Sequence, residues 1–193
     1  MRRMVGWMLC LALLGMGCGE RATPATEEKR LLLLLRHSKD SDKKKYSNYK
    51  RPLTSKGEAQ AQYIGEYLKS QEIKLDCILS SSAVRAKSTA KIVANLLDYP
   101  VASIALDSAL YKCKTRDLIK AIQELDDSCQ QVLVVGHNPS IIQTANHFQR
   151  DTIFTEVPKS GLIGIEFSNY SWSVLGHQEG EYQFFVHPSK EEL

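Results

Sequence analysis

No apolar run in this sequence is long enough to cross a bilayer. A membrane helix needs about 20 apolar residues, and the stretch from Met4 to Met16 falls short of that. Charge of one sign is also lacking: 25 Lys and Arg face 22 Asp and Glu, a formal net charge of +3. That near-balance argues against a nucleic-acid-binding surface, which carries a basic face with stacking aromatics. The only basic run, Lys43-Lys44-Lys45, reads as a solvated loop. Cysteines are few, and none of the five has the spacing of a zinc site. There is no internal repeat and no low-complexity segment beyond a short polar stretch near the start. With 193 residues and 43% hydrophobic content, the chain can bury one α/β core and gives no sign of a second domain.

The cysteines place the chain more than they staple it. Cys10 lies in the early apolar stretch and Cys18 just after it. Cys77 sits inside an expected strand and reads as a small buried apolar residue. Cys113 and Cys129 bracket an expected helix, which leaves a disulfide between them open.

Residues 1–18 have the form of an export signal: a basic Met1-Arg2-Arg3, the apolar stretch, then small residues around Cys18. Their end resembles the lipobox of bacterial lipoproteins, which implies lipidation of Cys18, although Leu14 and Met16 depart from its usual order. The expectation is an extracytoplasmic chain in the periplasm or cell envelope, meeting a membrane only through that N-terminal lipid. Residues 19–29 read as a flexible tether, 30–188 as one domain and 189–193 as a tail.

What is present is an abrupt boundary. Leu31-Leu32-Leu33-Leu34-Leu35 runs straight into Arg36-His37. An apolar run of this length suits a strand buried on both faces. In open α/β sheets ligands bind beyond the carboxyl ends of the strands, which is where Arg36 and His37 would fall. Cys77-Ile78-Leu79-Ser80-Ser81 running toward Arg85, and Val132-Leu133-Val134-Val135 running into Gly136-His137, repeat the pattern. Two Arg and two His would converge on one rim.

Strand and helix alternate along the chain. Strands are expected at 31–35, 75–80, 101–106 and 132–135. Helices are expected at 55–68, where Thr54 or Ser55 can serve as the cap and Ser55 with Glu58 makes a capping box, at 83–97, at 116–125, and from Pro139 to about 149. After that come short strands at 162–167, 172–175 and 182–186. The pattern predicts an α/β fold: a three-layer α/β/α sandwich with a mostly parallel central sheet and a β-rich C-terminal end.

Two guanidiniums can neutralise a phosphoryl group without a metal. A neutral imidazole has a lone pair with which to attack phosphorus, splitting one displacement into two. Phosphoryl transfer depends chiefly on positioning and charge stabilisation, which this set supplies. No metal or other cofactor is implied.

Four motifs carry a resemblance: Arg36-His37; Arg51-Pro52-Leu53-Thr54 with Gly57; Leu79-Ser80-Ser81 with Arg85-Ala86; and Gly136-His137-Asn138-Pro139. Together they resemble the histidine phosphatase superfamily, branch 1, with the phosphoglycerate mutase-like fold, and its small phosphohistidine phosphatases of the SixA type in particular. The resemblance implies His37 as the nucleophile that becomes phosphorylated, with Arg36, Arg85 and His137 completing the phosphate pocket and Arg51 beside it. It implies a phosphorylated small molecule or phosphoprotein as substrate. Larger relatives carry a glutamate proton donor on an insertion that is absent here between Leu97 and Ser103, which leaves Asp107 as the nearest acidic candidate. Ser38 stands where a glycine is common, and Lys159-Ser160-Gly161 where a Thr-containing turn is usual. Asp40-Ser41-Asp42 reads as a solvated turn, Tyr111 and Trp172 as packing residues, and His147, His177 and His187 belong to no constellation. The competing reading is a catalytically idle envelope protein that binds phosphate or a partner at the same pocket.

Overall fold

The computed structural model describes residues 28–41, 45–149 and 154–189. The export signal with Cys18, nearly all of the tether, and residues 190–193 of the tail lie outside the described residues.

Among the described residues six strands form one sheet: β1 (Lys29–Arg36), β2 (Cys77–Ser81), β3 (Ala105–Asp107), β4 (Gln131–Gly136), β5 (Leu162–Ser168) and β6 (Glu181–Val186), ordered β3-β2-β4-β1-β5-β6. The first four are parallel, and β5 runs antiparallel to both β1 and β6. The helices are α1 (Ser55–Ser70), α2 (Val84–Leu96), α3 (Thr115–Gln123) and α4 (Ser140–His147).

The leucine run explains the layering. Successive strand side chains point to opposite faces. Leu33 and Leu35 therefore pack with Ile64 and Leu68 of α1 and Ala90 and Val93 of α2. Leu32 and Leu34 pack with Leu118 and Ile122 of α3 and Ile141 of α4 on the other side. Leu32 to Leu35 are all fully buried, as a central strand covered on both faces requires.

Several local expectations are corrected. Of the two candidate caps of α1 it is Thr54 that serves, its hydroxyl accepting from the Gly57 amide at 3.1 Å, and the Ser55/Glu58 capping box does not form. Residues 101–106 are not one strand. Val101–Ser103 make a single 3-10 turn, followed by the three-residue β3 at the sheet edge, where Ala105 and Leu106 are exposed. An edge without a burial requirement leaves period-2 patterning weak. The apolar 172–175 segment is a 3-10 turn over Trp172–Val174. The three-residue spacing of Trp172 and Leu175 brings both inward, and the buried indole N–H donates to the Cys129 carbonyl at 2.6 Å.

The largest correction concerns sulfur. Cys77 and Cys129 form a disulfide with Cα atoms 5.6 Å apart, and Cys113 is the free thiol among the described residues. The pairing follows from topology: β2 and β4 are neighbours with Cys77 opposite Val132, so the chain entering β4 passes beside Cys77. Asp76 closes the same edge, accepting from the amides of Gln130 and Gln131 at 2.9 and 2.7 Å. The bridge spans 52 residues. Closing a loop of that length stabilises a fold by about 2–4 kcal/mol. A Cys77→Ala/Cys129→Ala variant is expected to lose about that much in a denaturant titration.

Candidate active site

Register brings the two imidazoles together. β1 and β4 pair so that Arg36 lies opposite Gly136, and each histidine is the next residue along its chain. Neighbouring strands lie about 4.8 Å apart; the ring centroids of His37 and His137 are 5.0 Å apart. The His37 amide donates to the Gly136 carbonyl at 3.0 Å, locking the two chains at the point where the rings diverge.

Arg85 comes from the first turn of α2, on the far side of β4. Its side chain is only 6% exposed, and that turn holds no acidic residue. A cation here works against the helix dipole unless an anion joins it. Its guanidinium ties the site together. Nε donates to His37 Nε2 at 3.0 Å, Nη2 meets His137 Nδ1 at 3.2 Å, and Nη1 and Nη2 donate to the carbonyl and side-chain oxygens of Asn48 at 2.6 and 3.3 Å.

These contacts fix both tautomers. His37 Nδ1 lies 2.8 Å from the Ser38 carbonyl, an acceptor only, so Nδ1 carries the proton and Nε2 the lone pair. His137 Nδ1 accepts from Arg85, so its Nε2–H donates to Ser81 Oγ at 2.9 Å. Both rings are neutral at pH 7. Burial is the main cause: His37 is lowered to about 3 and His137 to about 4, with Arg85 adding repulsion at each.

This shift has a stability consequence. Both folded-state values lie below the unfolded value of about 6.5, so below that pH the unfolded chain binds more protons and stability falls as pH drops. The loss runs from about pH 6.5 toward the folded values of about 4 and about 3. Each ring contributes up to about 1.4 kcal/mol per pH unit in that window. Thermal melts at pH 7, 6, 5 and 4 are expected to show a falling midpoint that flattens in a His37→Gln/His137→Gln variant.

Arg36 is half-buried, and its Nη1 donates to the Val157 carbonyl at 2.7 Å while Nε has no hydrogen-bond partner. Arg51 stands beside the pocket, its Nη1 2.9 Å from Asp40 Oδ2. Asp107 is not with this set. Its carboxylate closes a turn by accepting from the Ala109 amide at 2.7 Å, and it faces a separate cavity with Asp117 and Lys120.

Asp40 was the residue most misjudged by pattern. Its side chain is 2% exposed and forms ion pairs with Arg51 and Lys159, with Arg85 Nε 3.8 Å away. Burial pushes its pKa up, but Lys159, His37 and Arg51 outweigh that and hold it below the ordinary carboxylate value. It is an ionised anchor rather than a proton donor. Its place is fixed by the backbone on either side. The Ser38 amide donates to Thr89 Oγ1 and the Lys39 amide to Gln60 Oε1. Gly57 lies so close that a Cβ there would sit 2.0 Å from the Lys39 carbonyl oxygen. Tyr111, expected only to pack, meets His137 edge-on at 5.7 Å and donates to Asn48 Oδ1 at 2.8 Å. Asn48, Ser81 and Lys159 are further site residues that the sequence reading missed. Ser81 lay within the Leu79-Ser80-Ser81 motif and Lys159 in the altered turn at 159–161, whereas Asn48 carried no signal. Among the described residues, no group of three His, Cys, Asp or Glu could hold a metal ion.

Two neutral imidazoles at strand ends, with Arg36 beside them and Arg85 reaching in from α2, give this α/β fold a pocket whose chemistry suits a tetrahedral anion. Comparison with known proteins agrees. The model of the histidine phosphatase superfamily (branch 1) matches residues 32–110. The mitochondrial serine/threonine-protein phosphatase Pgam5 of Drosophila virilis is 37% identical over 80 residues, 39% of this chain and 26% of that protein. The chain thus matches about a quarter of that relative's length. An uncharacterized protein of Mycobacterium leprae is 25% identical over 166 residues, 80% of this chain and 99% of the other. Among solved structures, the protein histidine phosphatase SixA complexed with tungstate superposes with a TM-score of 0.69 at 21% identity, covering 81% of this chain and 96% of that one. The phosphoglycerate mutase of Plasmodium falciparum superposes with a TM-score of 0.54 at 18% identity, covering 85% and 91%. Over residues 32–110 the chain is thus similar to the histidine phosphatase superfamily, and its fold is that of the solved SixA and phosphoglycerate mutase structures.

Proposed function

We propose that this chain is a metal-independent phosphatase in which His37 Nε2 takes the phosphoryl group and water then removes it. The observation that carries the reading is the His37 ring itself: Nδ1–H fixed on the Ser38 carbonyl, Nε2 with its lone pair toward Arg85. As Nε2 bonds to phosphorus the ring gains positive charge, and the Nδ1–H bond to a carbonyl stabilises that charge where it develops. Arg85 and Arg36 would take the phosphoryl oxygens. The tungstate bound by the SixA structure, a tetrahedral oxyanion, supports the same use of this fold.

Among the described residues, no carboxyl lines the cavity, Asp40 beside it is ionised and paired, and Asp107 faces elsewhere, so none is free to protonate a leaving group. The reading therefore favours leaving groups that depart without a protein acid, namely phosphoramidates such as phosphohistidine, and aryl phosphates, over alkyl phosphates. The test is hydrolysis of an aryl phosphate in chelator, with acid-labile phosphate trapped on the protein by rapid quenching. No turnover of aryl phosphate or phosphohistidine would leave the idle phosphate-binding reading in its place.

An extracytoplasmic location belongs to this proposal. The Cys77–Cys129 disulfide supports it, because such bonds persist in oxidising compartments. Labelling of the exported chain with radioactive lipid, lost in Cys18→Ala, tests the anchor.

A further inference from the structure

Beyond His137 and Arg85 the site opens into a cavity of about 690 Å³, within the range that takes a drug-sized ligand and much larger than a phosphoryl group needs. Its cations are Arg51, Arg85, Lys112, Lys114 and Arg116, and none of its described lining residues is a carboxylate. These charges do not all serve one phosphate. Arg51 is committed to Asp40, and Arg85 faces the imidazoles. The remaining three lie on the segment that leads from β3 into α3, and all three are exposed. Arg116 is partly neutralised by Asp117, 3.3 Å away. Lys112 stands over the Tyr111 ring, its Nζ 5.4 Å from the centroid, which ties this wall to the ring that abuts His137.

We infer that this wall is a second anion subsite, and that the substrate is a phosphorylated polypeptide segment with carboxylate side chains beside the phosphorylated residue. The inference rests on the phosphatase reading and narrows it. Exposure decides between a polypeptide and a small molecule with two anionic groups. A small bis-anion enclosed in the cavity would be met by buried cations, whereas cations on the rim suit side chains that stay partly in water as a chain lies across the opening. Each exposed pair contributes little. Together they also raise the local concentration of an acidic partner.

The test compares two phosphohistidine peptides of one sequence, flanked by Glu or by Gln, on the full mature chain, with an aryl phosphate run in parallel. The Glu peptide is expected to have kcat/KM about tenfold higher, through KM. Salt at 1 M, where the Debye length is about 3 Å, should erase that preference. The ratio is also expected to fall toward one in Lys112→Gln/Lys114→Gln/Arg116→Gln. Equal kcat/KM for the two peptides in the wild type, with the aryl phosphate still hydrolysed, overturns the subsite and leaves the phosphatase reading standing. Aryl phosphate turnover with neither peptide cleaved does the same, as does a preference for a small bisphosphate over its monophosphate without one between the peptides. A tenfold preference that persists in the triple variant also overturns it. Absence of all turnover removes the phosphatase reading and this inference with it.

Discussion

His37→Ala is expected to lower aryl phosphate turnover by at least about 10³-fold, since deleting a nucleophile removes the covalent route altogether. The rate of phosphate capture on the protein should fall with it. Binding of inorganic phosphate should persist, because Arg85 and Arg36 remain. Loss of rate with retained binding separates a nucleophile from a residue that merely holds the pocket open. Added imidazole gives a further check: the space left by the ring lies between the Ser38 carbonyl and Arg85, and a free imidazole bound there would restore part of the turnover. A variant that keeps more than about a hundredth of wild-type turnover would move the nucleophile to His137, whose lone pair on Nδ1 also faces Arg85.

The part of this site that could be read along the chain is the part fixed by strand ends. Arg36, His37 and His137 were legible because an apolar run that stops at a charged residue marks both a buried strand and the edge where it emerges. Strand order was not legible. That β4 lies between β1 and β2 is what brings His37 to 5.0 Å from His137 and Cys77 against Cys129, and nothing in the local sequence encodes it. The helix-forming stripes of α1 and α2 were visible in their 3.6-residue spacing, whereas β3 and the Trp172 turn were misread for want of a clear burial period. Asp40 failed for a different reason. Beside Ser41, Asp42 and three lysines it looks solvated, but its burial depends on Arg51 across a loop and Lys159, 119 residues away in sequence. Asp107 failed in the converse way: an acid after a strand on the ligand edge invited a role, but the edge strand β3 turns its carboxylate back onto the Ala109 amide.

Arg85→Ala is expected to cost about 10³-fold in kcat/KM. Removing a single donor from a preorganised anion site typically costs about 10²–10³, and Arg85 presents three nitrogens to the pocket. In the free protein those N–H groups rest on His37, His137 and Asn48. A bound phosphoryl group must take them over, which releases the His37 lone pair at the moment the phosphorus arrives. Arg85→Lys should recover no more than about tenfold, because an ammonium is a point charge and cannot span the two rings and Asn48 as a planar fork does. The fold should survive either change, since Asp40, 3.8 Å from Arg85, keeps Arg51 and Lys159 as partners. A second readout separates an electrostatic role from a structural one. Arg85 lowers both imidazoles, ranking behind burial and His137 at His37 and behind burial alone at His137, so its removal should raise both titration midpoints in an NMR pH titration. Unchanged midpoints in Arg85→Ala, with the fold intact, would mean that the guanidinium does not face the rings, and the pocket would lose the cation on which its grip on phosphate depends.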